Sequence, residues 1–285
     1  LRNPIARQYA ALWAGGVFRR WQPATDCPRM SRSQPLFDTH CHLLPGLDDG
    51  PADWDISLAM ARHAASDGIR TIVATPHQLG MYRTNTADRI RQVAAELQRR
   101  LVAERIALQV FPGSEIRLEP DLARRIEAGE AITLADRGRH VLVELPHEIY
   151  VPCEDMLADL RRAGLVAVLA HPERNAGVQR QPDVLPSLVR RGCHLQVTAG
   201  SLLGKFGSMA QKLAENLITR GMVSLVATDA HGMKGRRPGL AAAYDRIAER
   251  WGEAAATEFC CENPARLGQG SDIRPVRPAT ATRCA

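Results

Sequence analysis

Side chains that bind metal ions recur in this sequence directly after short apolar runs. His40 and His42 close the first such run, and His77 follows the second. Because an extended strand has a period of two residues, His40 and His42 point to the same side and can hold one cation together. Asp229 and His231 repeat this spacing after the last run. These positions predict a metal site rather than scattered surface histidines.

Three more apolar runs contribute residues of the same kind, namely Glu115, Glu144 and His171. The ends of six runs therefore offer five histidines and at least four carboxylates. Imidazole nitrogens and carboxylate oxygens suit two or three divalent ions, for which manganese, iron and zinc all qualify. The pooled carboxylates would repel one another without cations, so the set itself predicts bound metal.

The apolar runs alternate with longer amphipathic segments, which predicts alternating strands and helices. Strands are expected at residues 36–41, 71–75, 107–111, 140–145, 166–170, 194–198 and 223–228. Helices are expected at residues 53–67, 87–104, 120–128, 154–163, 182–191, 209–220 and 238–250. Such alternation is typical of an α/β fold with a parallel sheet, either doubly wound or closed into a barrel. In both arrangements the carboxyl ends of the strands form one face, so the metal-binding residues must converge there.

The net charge of the chain, +6 over 285 residues, lies in its two ends. Residues 1–35 carry six arginines against one aspartate, and residues 271–285 carry three arginines against one aspartate. The body between them has 28 basic and 29 acidic residues and is therefore neutral. Only 5% of the residues are aromatic, so the body lacks the basic groove with interleaved aromatic side chains that binds nucleic acid.

We expect an N-terminal extension without stable structure at residues 1–35, one catalytic domain at 36–270 and a C-terminal tail at 271–285. Met30 opens a segment typical of a native start, so residues 1–29 are interpreted as an appended extension. A cationic arm for an acidic partner or membrane surface is the alternative. The apolar stretch at residues 9–18 is about half the ~20 residues that a membrane span needs. Seven cysteines without a Cys-x-x-Cys pair favour a reducing, cytoplasmic location.

Six ordered motifs resemble those of the PHP (polymerase and histidinol phosphatase) superfamily. Within it, they are similar to the manganese-dependent protein-tyrosine phosphatases of bacterial capsule and exopolysaccharide loci. The motifs are DTHCHLLPGLDDGP at residues 38–51, TPH at 75–77, GSEI at 113–116, LAHPERN at 169–175, VTAGSLLGKFG at 197–207 and ATDAHG at 227–232. The likeness covers residues 36–270. It implies a distorted, TIM-like (β/α)7 barrel with a trinuclear metal cluster.

Carried over position by position, the resemblance implies two groups of site residues. Arg174 and Arg236 match the arginines that hold the substrate phosphate in the family. Asp48 is the alternative to Asp49, because spacing alone does not separate neighbouring aspartates. Cys41 stands where the family commonly has serine, on the side of the strand away from the metals. The implied metal ligands are His40, His42, Asp49, His77, Glu115, Glu144, His171, Asp229 and His231.

The resemblance implies hydrolysis of phosphotyrosine on a protein, with a bacterial tyrosine autokinase as the partner. A tyrosinate leaving group, with a parent pKa of ~10, needs less protonation than an alkoxide, and His231 is one available donor. Tyr82, in the loop after His77, is either an aromatic rim for the phosphotyrosine ring or an exposed loop residue. The alternative substrate is a small phosphomonoester such as histidinol phosphate. A metal-binding scaffold without turnover is disfavoured, because a structural cation needs no phosphate-binding arginines.

A rival mechanism is suggested by the spacing of Cys260 and Arg266, which fits the Cys-x5-Arg motif of thiolate-based tyrosine phosphatases. Such a loop points successive backbone N–H groups at the phosphate. Pro264 has no N–H group, and Glu262 would place a negative charge against the substrate. The sequence therefore favours the metal route and predicts the end of a C-terminal helix at this place.

Overall fold

The structure is a computed structural model and describes residues 34–278. Most of the predicted extension at 1–35, and the alternative cationic arm within it, lie outside the described residues. Of the predicted tail at 271–285, residues 271–278 are described, and Ile273 and Val276 are buried there. The structure therefore bears on the body of the chain and on the first part of the tail.

Within the described residues, nine strands pair in parallel in two sheets. The first sheet has the order β1-β2-β4 and the second β3-β5-β6-β7-β8-β9. The strands are β1 (Leu36–Cys41), β2 (Ile69–Ala74), β3 (His77–Gln78), β4 (Gln109–Pro112), β5 (Glu115–Arg117), β6 (His140–Glu144), β7 (Val166–Ala170), β8 (His194–Thr198) and β9 (Val223–Ala227). All neighbours run parallel, which confirms the α/β prediction.

Helices connect the strands, as parallel pairing requires. The described α-helices are α1 (Trp54–Ser66), α2 (Ala87–Ala103), α3 (Leu122–Glu127), α4 (Glu154–Arg162), α5 (Ala176–Arg180), α6 (Leu185–Arg190), α7 (Ala199–Leu202), α8 (Gly207–Thr219), α9 (Ala241–Trp251), α10 (Glu253–Thr257) and α11 (Asn263–Gly268). Helix α2 begins after Thr86, whose hydroxyl accepts from the N–H group of Arg89, and it buries Ile90, Ala94 and Leu97 on one face. None of the helices in residues 34–278 is long and apolar enough to cross a membrane.

The second and third predicted strands are each followed, after a two-residue break, by a further short strand. Thr75 and Pro76 separate β2 from β3, and Gly113 and Ser114 separate β4 from β5. After each break the chain pairs in the second sheet instead of the first. A Cβ atom on Gly113 would lie 2.7 Å from Cγ1 of Val73, so only glycine fits this close approach. The breaks carry His77 and Glu115 into the second sheet, where both belong to the candidate site.

Backbone hydrogen bonds join the end of β1 to the segment that follows β9. The N–H group of Asp229 donates to the carbonyl of His40 at 2.8 Å, and that of His42 donates to the carbonyl of Ala230 at 2.8 Å. Cys41 and Ala230 form a parallel bridge between the same segments. The first and last predicted metal-binding pairs are therefore brought side by side by the backbone.

The buried apolar side chains form a large cluster and a smaller one. The smaller cluster takes six side chains from five strands, and the loop after α11 closes it with Ile273. Its buried strand members are Phe37, Val73, Leu142, Val168, Ala170 and Leu225. The larger cluster includes the buried faces of the helices, such as Leu97 of α2 and Leu217 of α8. The strands are thus packed on both sides, which explains their nearly continuous apolar sequences.

Candidate metal centre

Four of the predicted ligands converge on one small volume at the carboxyl ends of the strands. The Nε2 atoms of His40 and His42 lie 3.3 Å apart. Oε2 of Glu115 is 3.3 Å from the first of these atoms and 3.2 Å from the second. Oδ1 of Asp229 is 3.2 Å and 3.5 Å from the same two atoms. Donors about 2.1 Å from one tetrahedral ion lie about 3.4 Å apart, so this spacing suits a cation at their centre.

The remaining predicted ligands surround this group. Oδ1 of Asp49 lies 3.3 Å from Nε2 of His231 and 3.8 Å from Nε2 of His77. Together with His42, these residues form a second group that could hold an ion. Glu144, with His77 and Glu115, belongs to a third group of this kind.

His171 is outside those three groups but adjoins them. Its Nε2 atom lies 3.0 Å from Oε1 of Glu115 and 3.8 Å from Oε1 of Glu144. All nine predicted metal ligands are therefore gathered at one face of the molecule.

Hydrogen bonds hold the imidazole rings in orientations that suit metal binding. Nδ1 of His40 lies 2.9 Å from Oε1 of Gln196, and Nδ1 of His42 lies 2.6 Å from Oδ2 of Asp48. Both Nε2 atoms are thereby left to face Glu115 and Asp229. Partners of this kind fix the tautomer and the direction of a metal-binding histidine. Asp48 thus orients His42, and Asp49 is the aspartate that faces the other ligands.

The carboxylates impose a strong negative potential on the buried histidines. Burial alone would lower the pKa of His40, but Glu115 and Asp229 raise it above its ordinary value. Burial also opposes protonation of His42, yet Asp48 and Glu115 raise its pKa well above the ordinary range. The centre therefore attracts positive charge, which a metal ion can supply in place of protons.

The pKa values of the carboxylates at the centre shift in the opposite direction, downward. Burial would raise the pKa of Glu115, but His40 and His171 hold it well below its usual range. Burial would likewise raise the pKa of Asp229, and His40, His171 and Arg236 lower it. Both side chains are therefore carboxylates under ordinary conditions and are ready to bind a cation.

One oxygen at the centre lacks a partner of its own. Oδ1 of Asp229 is buried and accepts no hydrogen bond from any residue that the structure describes. A buried polar atom without a hydrogen-bond partner destabilises the folded protein unless a ligand binds to it. Because this atom faces His40, His42 and Glu115, the residues present fit a metal ion as the missing partner.

The two predicted phosphate-binding arginines meet at the other oxygen of the same carboxylate. Arg174 and Arg236 both donate to Oδ2 of Asp229. Nε of Arg236 also donates to the backbone carbonyl of Asp229 at 3.1 Å. The guanidinium of Arg174 lies over the ring of Phe206, with 4.3 Å between Cζ and the ring centroid. Both arginines therefore lie directly beside the candidate metal centre.

Two site residues adopt left-handed backbone conformations that side chains other than glycine rarely take. His171 has a φ of 32° and Asp229 a φ of 51°. Both follow the end of a strand, and the turn directs their side chains toward the shared centre. Such conformations cost roughly 1–3 kcal/mol each and are concentrated at functional sites.

Some side chains at the site were not anticipated from the sequence. Gln196 was not identified, although its place near the end of β8 was a signal. The buried Asp38 accepts from the backbone N–H groups of His40 and Thr228, and burial raises its pKa to about 6. His147 is not among the predicted ligands, yet its Nε2 atom lies 3.6 Å from Oε1 of Glu144.

The ring of Tyr82 stacks on His77, with 5.1 Å between ring centroids and 22° between ring planes. Burial and the nearby charges of Asp49 and Asp48 raise the pKa of its phenol. The side chain is half-buried, so it lines the edge of the centre and is partly open to solvent.

The Cys-x5-Arg segment forms a helical turn instead of a phosphate loop. Cys260 is buried in a π-helical turn, Glu258–Glu262, that leads into α11. Arg266 donates to the carboxylates of Glu258 and Glu262 at 2.8 Å each. This agrees with the predicted end of a C-terminal helix and leaves the thiol enclosed by apolar neighbours.

Parallel strands, histidines and carboxylates at their carboxyl ends, and two adjacent arginines define an α/β protein with a candidate polynuclear metal centre. The chain belongs to the CpsB/CapC family of capsular polysaccharide synthesis, whose model matches residues 36–268. It is 41% identical to the tyrosine-protein phosphatase YwqE of Bacillus subtilis (strain 168) over 208 residues, which cover 70% of this chain and 79% of that protein. It is 30% identical to the tyrosine-protein phosphatase CpsB of Streptococcus pneumoniae over 241 residues, covering 81% and 98%.

The fold is also similar to a solved structure of the same group. A structure from work on YwqE of Bacillus subtilis and CpsB of Streptococcus pneumoniae, described as unique metal-dependent tyrosine phosphatases, superposes with a TM-score of 0.80. The two are 34% identical, and the match covers 87% of this chain and 100% of that one. The family resemblance expected from the six sequence motifs is confirmed.

Proposed function

We propose that this protein is a metal-dependent protein-tyrosine phosphatase. The observation that carries the proposal is the arrangement around Asp229. One carboxylate oxygen faces His40, His42 and Glu115 without a hydrogen-bond partner among the described residues, and the other accepts from both arginines. A cation site and a phosphate site that share one carboxylate are what metal-assisted phosphoester hydrolysis needs. The two relatives named as tyrosine-protein phosphatases support phosphotyrosine over histidinol phosphate as the substrate.

In this proposal the nine clustered side chains bind two or three divalent ions, with manganese as the expected metal. When bound, the ions supply positive charge and a water molecule of lowered pKa. The metal ligands would be His40, His42, Asp49, His77, Glu115, Glu144, His171, Asp229 and His231.

The arginines would bind the phosphate and orient it for attack. A planar guanidinium matches two phosphate oxygens at once, and its charge offsets the charge of the equatorial oxygens. Arg174 is held in place by Phe206 and Arg236 by the backbone carbonyl of Asp229. The leaving tyrosinate, with a parent pKa of ~10, needs no dedicated acid.

For the fold, we propose that the strands close into a distorted (β/α)7 barrel. If β2 with β3 and β4 with β5 are counted as single broken strands, the pairings run through seven strands in succession. The hydrogen bonds between the end of β1 and the segment after β9 support closure, and so does the smaller apolar cluster, which draws its strand members from five strands. The catalytic domain would then occupy residues 36–270.

The proposed partner is a tyrosine autokinase that controls capsular or exopolysaccharide synthesis and is dephosphorylated in the cytoplasm. The match to a family of capsular polysaccharide synthesis supports this process. No described helix could span a membrane.

The proposal is tested by comparing two substrates after reconstitution with manganese. We expect a phosphotyrosine peptide to be hydrolysed with a kcat/KM at least about 100-fold above that for histidinol phosphate, a difference of about 2.7 kcal/mol in transition-state binding. A preference for histidinol phosphate would overturn the assignment of the substrate class. No turnover of either compound by the metal-loaded protein would overturn the assignment as a phosphatase.

A further inference from the structure

The loop after β3 forms an aromatic wall on the open side of the candidate metal centre. The Tyr82 ring lies against the imidazole of His77, as described above. The neighbouring ligand Asp49 has a side chain that is 55% exposed, which marks this side as the opening of the site. Met81, next to Tyr82, is 83% exposed and extends the apolar edge outward.

Hydrogen bonds hold this loop in one conformation. The N–H group of Tyr82 donates to the carbonyl of Leu79 at 2.7 Å, and its carbonyl accepts from the N–H group of Asn85 at 2.9 Å. The buried side chain of Asn85 donates to the carbonyls of His77 and Leu47, at 2.8 Å each. The loop is thereby tied both to the strand that carries His77 and to the loop that carries Asp49. Tyr82 is therefore positioned before any substrate arrives, which reduces the entropy lost on binding.

We propose that Tyr82 determines substrate specificity by contacting the phenyl ring of phosphotyrosine. This inference rests on the proposed function. Arg174 and Arg236 would hold the phosphate beside Asp229, and the proposal directs its ester group toward the exposed side of the centre, where Asp49 and Tyr82 lie. A phenyl ring gains an offset or edge-to-face contact with the tyrosine ring there. An alkyl phosphate has no ring to place against it.

The test separates recognition of the ring from recognition of the phosphate. Binding to the manganese-loaded protein is measured for two competitive inhibitors, a peptide with a non-hydrolysable phosphonate analogue of phosphotyrosine and inorganic phosphate. The variants are Tyr82→Leu, which removes the ring, and Tyr82→Phe, which keeps it. Thr84→Ala serves as the matched control, because Thr84 is exposed in the same loop.

We expect Tyr82→Leu to raise the Ki of the phosphonate peptide roughly 5- to 10-fold, as loss of one aromatic contact predicts. In the same variant, the Ki of inorganic phosphate and the affinity for manganese should stay within about two-fold of their values in the unaltered protein. Tyr82→Phe and Thr84→Ala should resemble the unaltered protein for both inhibitors.

Parallel weakening of both inhibitors, or loss of manganese, in Tyr82→Leu would overturn the inference, because it would show that Tyr82 only supports His77. Unchanged binding of the phosphonate peptide would overturn it as well. Failure of the proposed function is distinguishable, since the unaltered protein would then neither bind the phosphonate peptide nor hydrolyse phosphotyrosine. That result would contradict both proposals.

Discussion

The carboxylate of Asp48 lies 2.6 Å from Nδ1 of His42 and turns the opposite ring nitrogen toward the metal-binding group. The same oxygen of Asp48 accepts from the backbone N–H group of His77 at 2.8 Å. One buried carboxylate therefore orients two neighbouring members of the candidate site without facing the centre itself.

Replacement of Asp48 should weaken metal binding without removing a ligand. We expect Asp48→Ala to lower the affinity for manganese by roughly 10- to 100-fold, because loss of an orienting partner has effects of this size. Asp55→Ala, which removes an exposed carboxylate in the first turn of α1, is the matched control. Manganese titration with metal analysis provides the measurement. An affinity in Asp48→Ala equal to that of the control would contradict the orienting role.

Replacement of Arg236 should impair catalysis while the metal stays bound. We expect Arg236→Ala to lower kcat/KM for a phosphotyrosine peptide roughly 100-fold, because a preorganised charged donor to the transition state is lost. Arg236→Lys should restore only part of the activity, since an ammonium lacks the planar fork. Arg237→Ala is the control, because Arg237 is exposed and donates to the carbonyl of Met233. Equal activity of the Arg236→Ala and Arg237→Ala proteins would exclude Arg236 from the phosphate site.

Replacement of Cys260 should separate the metal route from the thiolate route. Cys260 is buried in a π-helical turn, so Cys260→Ser should lower the free energy of unfolding by roughly 1–2 kcal/mol. Turnover should stay nearly unchanged. Steady-state hydrolysis of a phosphotyrosine peptide, measured below the unfolding temperature of both proteins, checks this. Loss of turnover in a folded, metal-loaded Cys260→Ser protein would favour thiolate chemistry instead.

His140 should make the stability of the protein depend on pH. Burial, with His194 and Arg139 nearby, lowers its pKa to about 3. Its Nδ1 atom has no hydrogen-bond partner within the described part of the chain. Above pH 6.5 the ring is neutral whether the protein is folded or unfolded. Below that pH the His140 ring binds a proton in the unfolded chain but not in the folded protein. The free energy of unfolding therefore falls as the pH drops from about 6.5 toward 3.

The contribution of His140 can be measured by comparing the unaltered protein with a His140→Leu variant. At pH 5 the free energy of unfolding should have fallen by about 2 kcal/mol on account of His140 alone. His140→Leu should lose this part of the pH dependence, so urea unfolding at pH 7.5 and pH 5.0 is compared in the two proteins. Identical pH dependence in both would show that His140 is readily protonated in the folded state.

Local patterns in the sequence were sufficient to predict most of the strands and helices. The strands β1, β7 and β8 were predicted with the bounds observed, because apolar and β-branched residues recur in each short segment; β7 is apolar throughout. The short strands β3 and β5, which follow the second and third predicted strands, were not foreseen. The turn between β4 and β5 depends on a close approach of Gly113 to Val73 of β2, a contact between segments that are distant in the sequence.

For the candidate site, too, local sequence patterns predicted some features, whereas others depend on tertiary contacts. Strand-end positions identified the residues that converge, because parallel strands place their carboxyl ends on one face. Which of Asp48 and Asp49 faces the centre could not be decided from spacing. The answer depends on Nδ1 of His42 and the backbone of His77, which tertiary structure alone brings to Asp48. Gln196 was missed for the same reason, since an amide near a strand end has no metal-binding signature of its own.

Hydrolysis of a phosphotyrosine peptide before and after removal of metal tests the central claim most directly. We expect the chelator-treated protein to be inactive and manganese to restore its activity. We expect His40→Ala, which removes an Nε2 atom from the group around Asp229, to stay inactive at the same manganese concentration. Undiminished activity after chelation, or a fully active His40→Ala protein, would contradict the assignment of a catalytic metal centre to the strand ends.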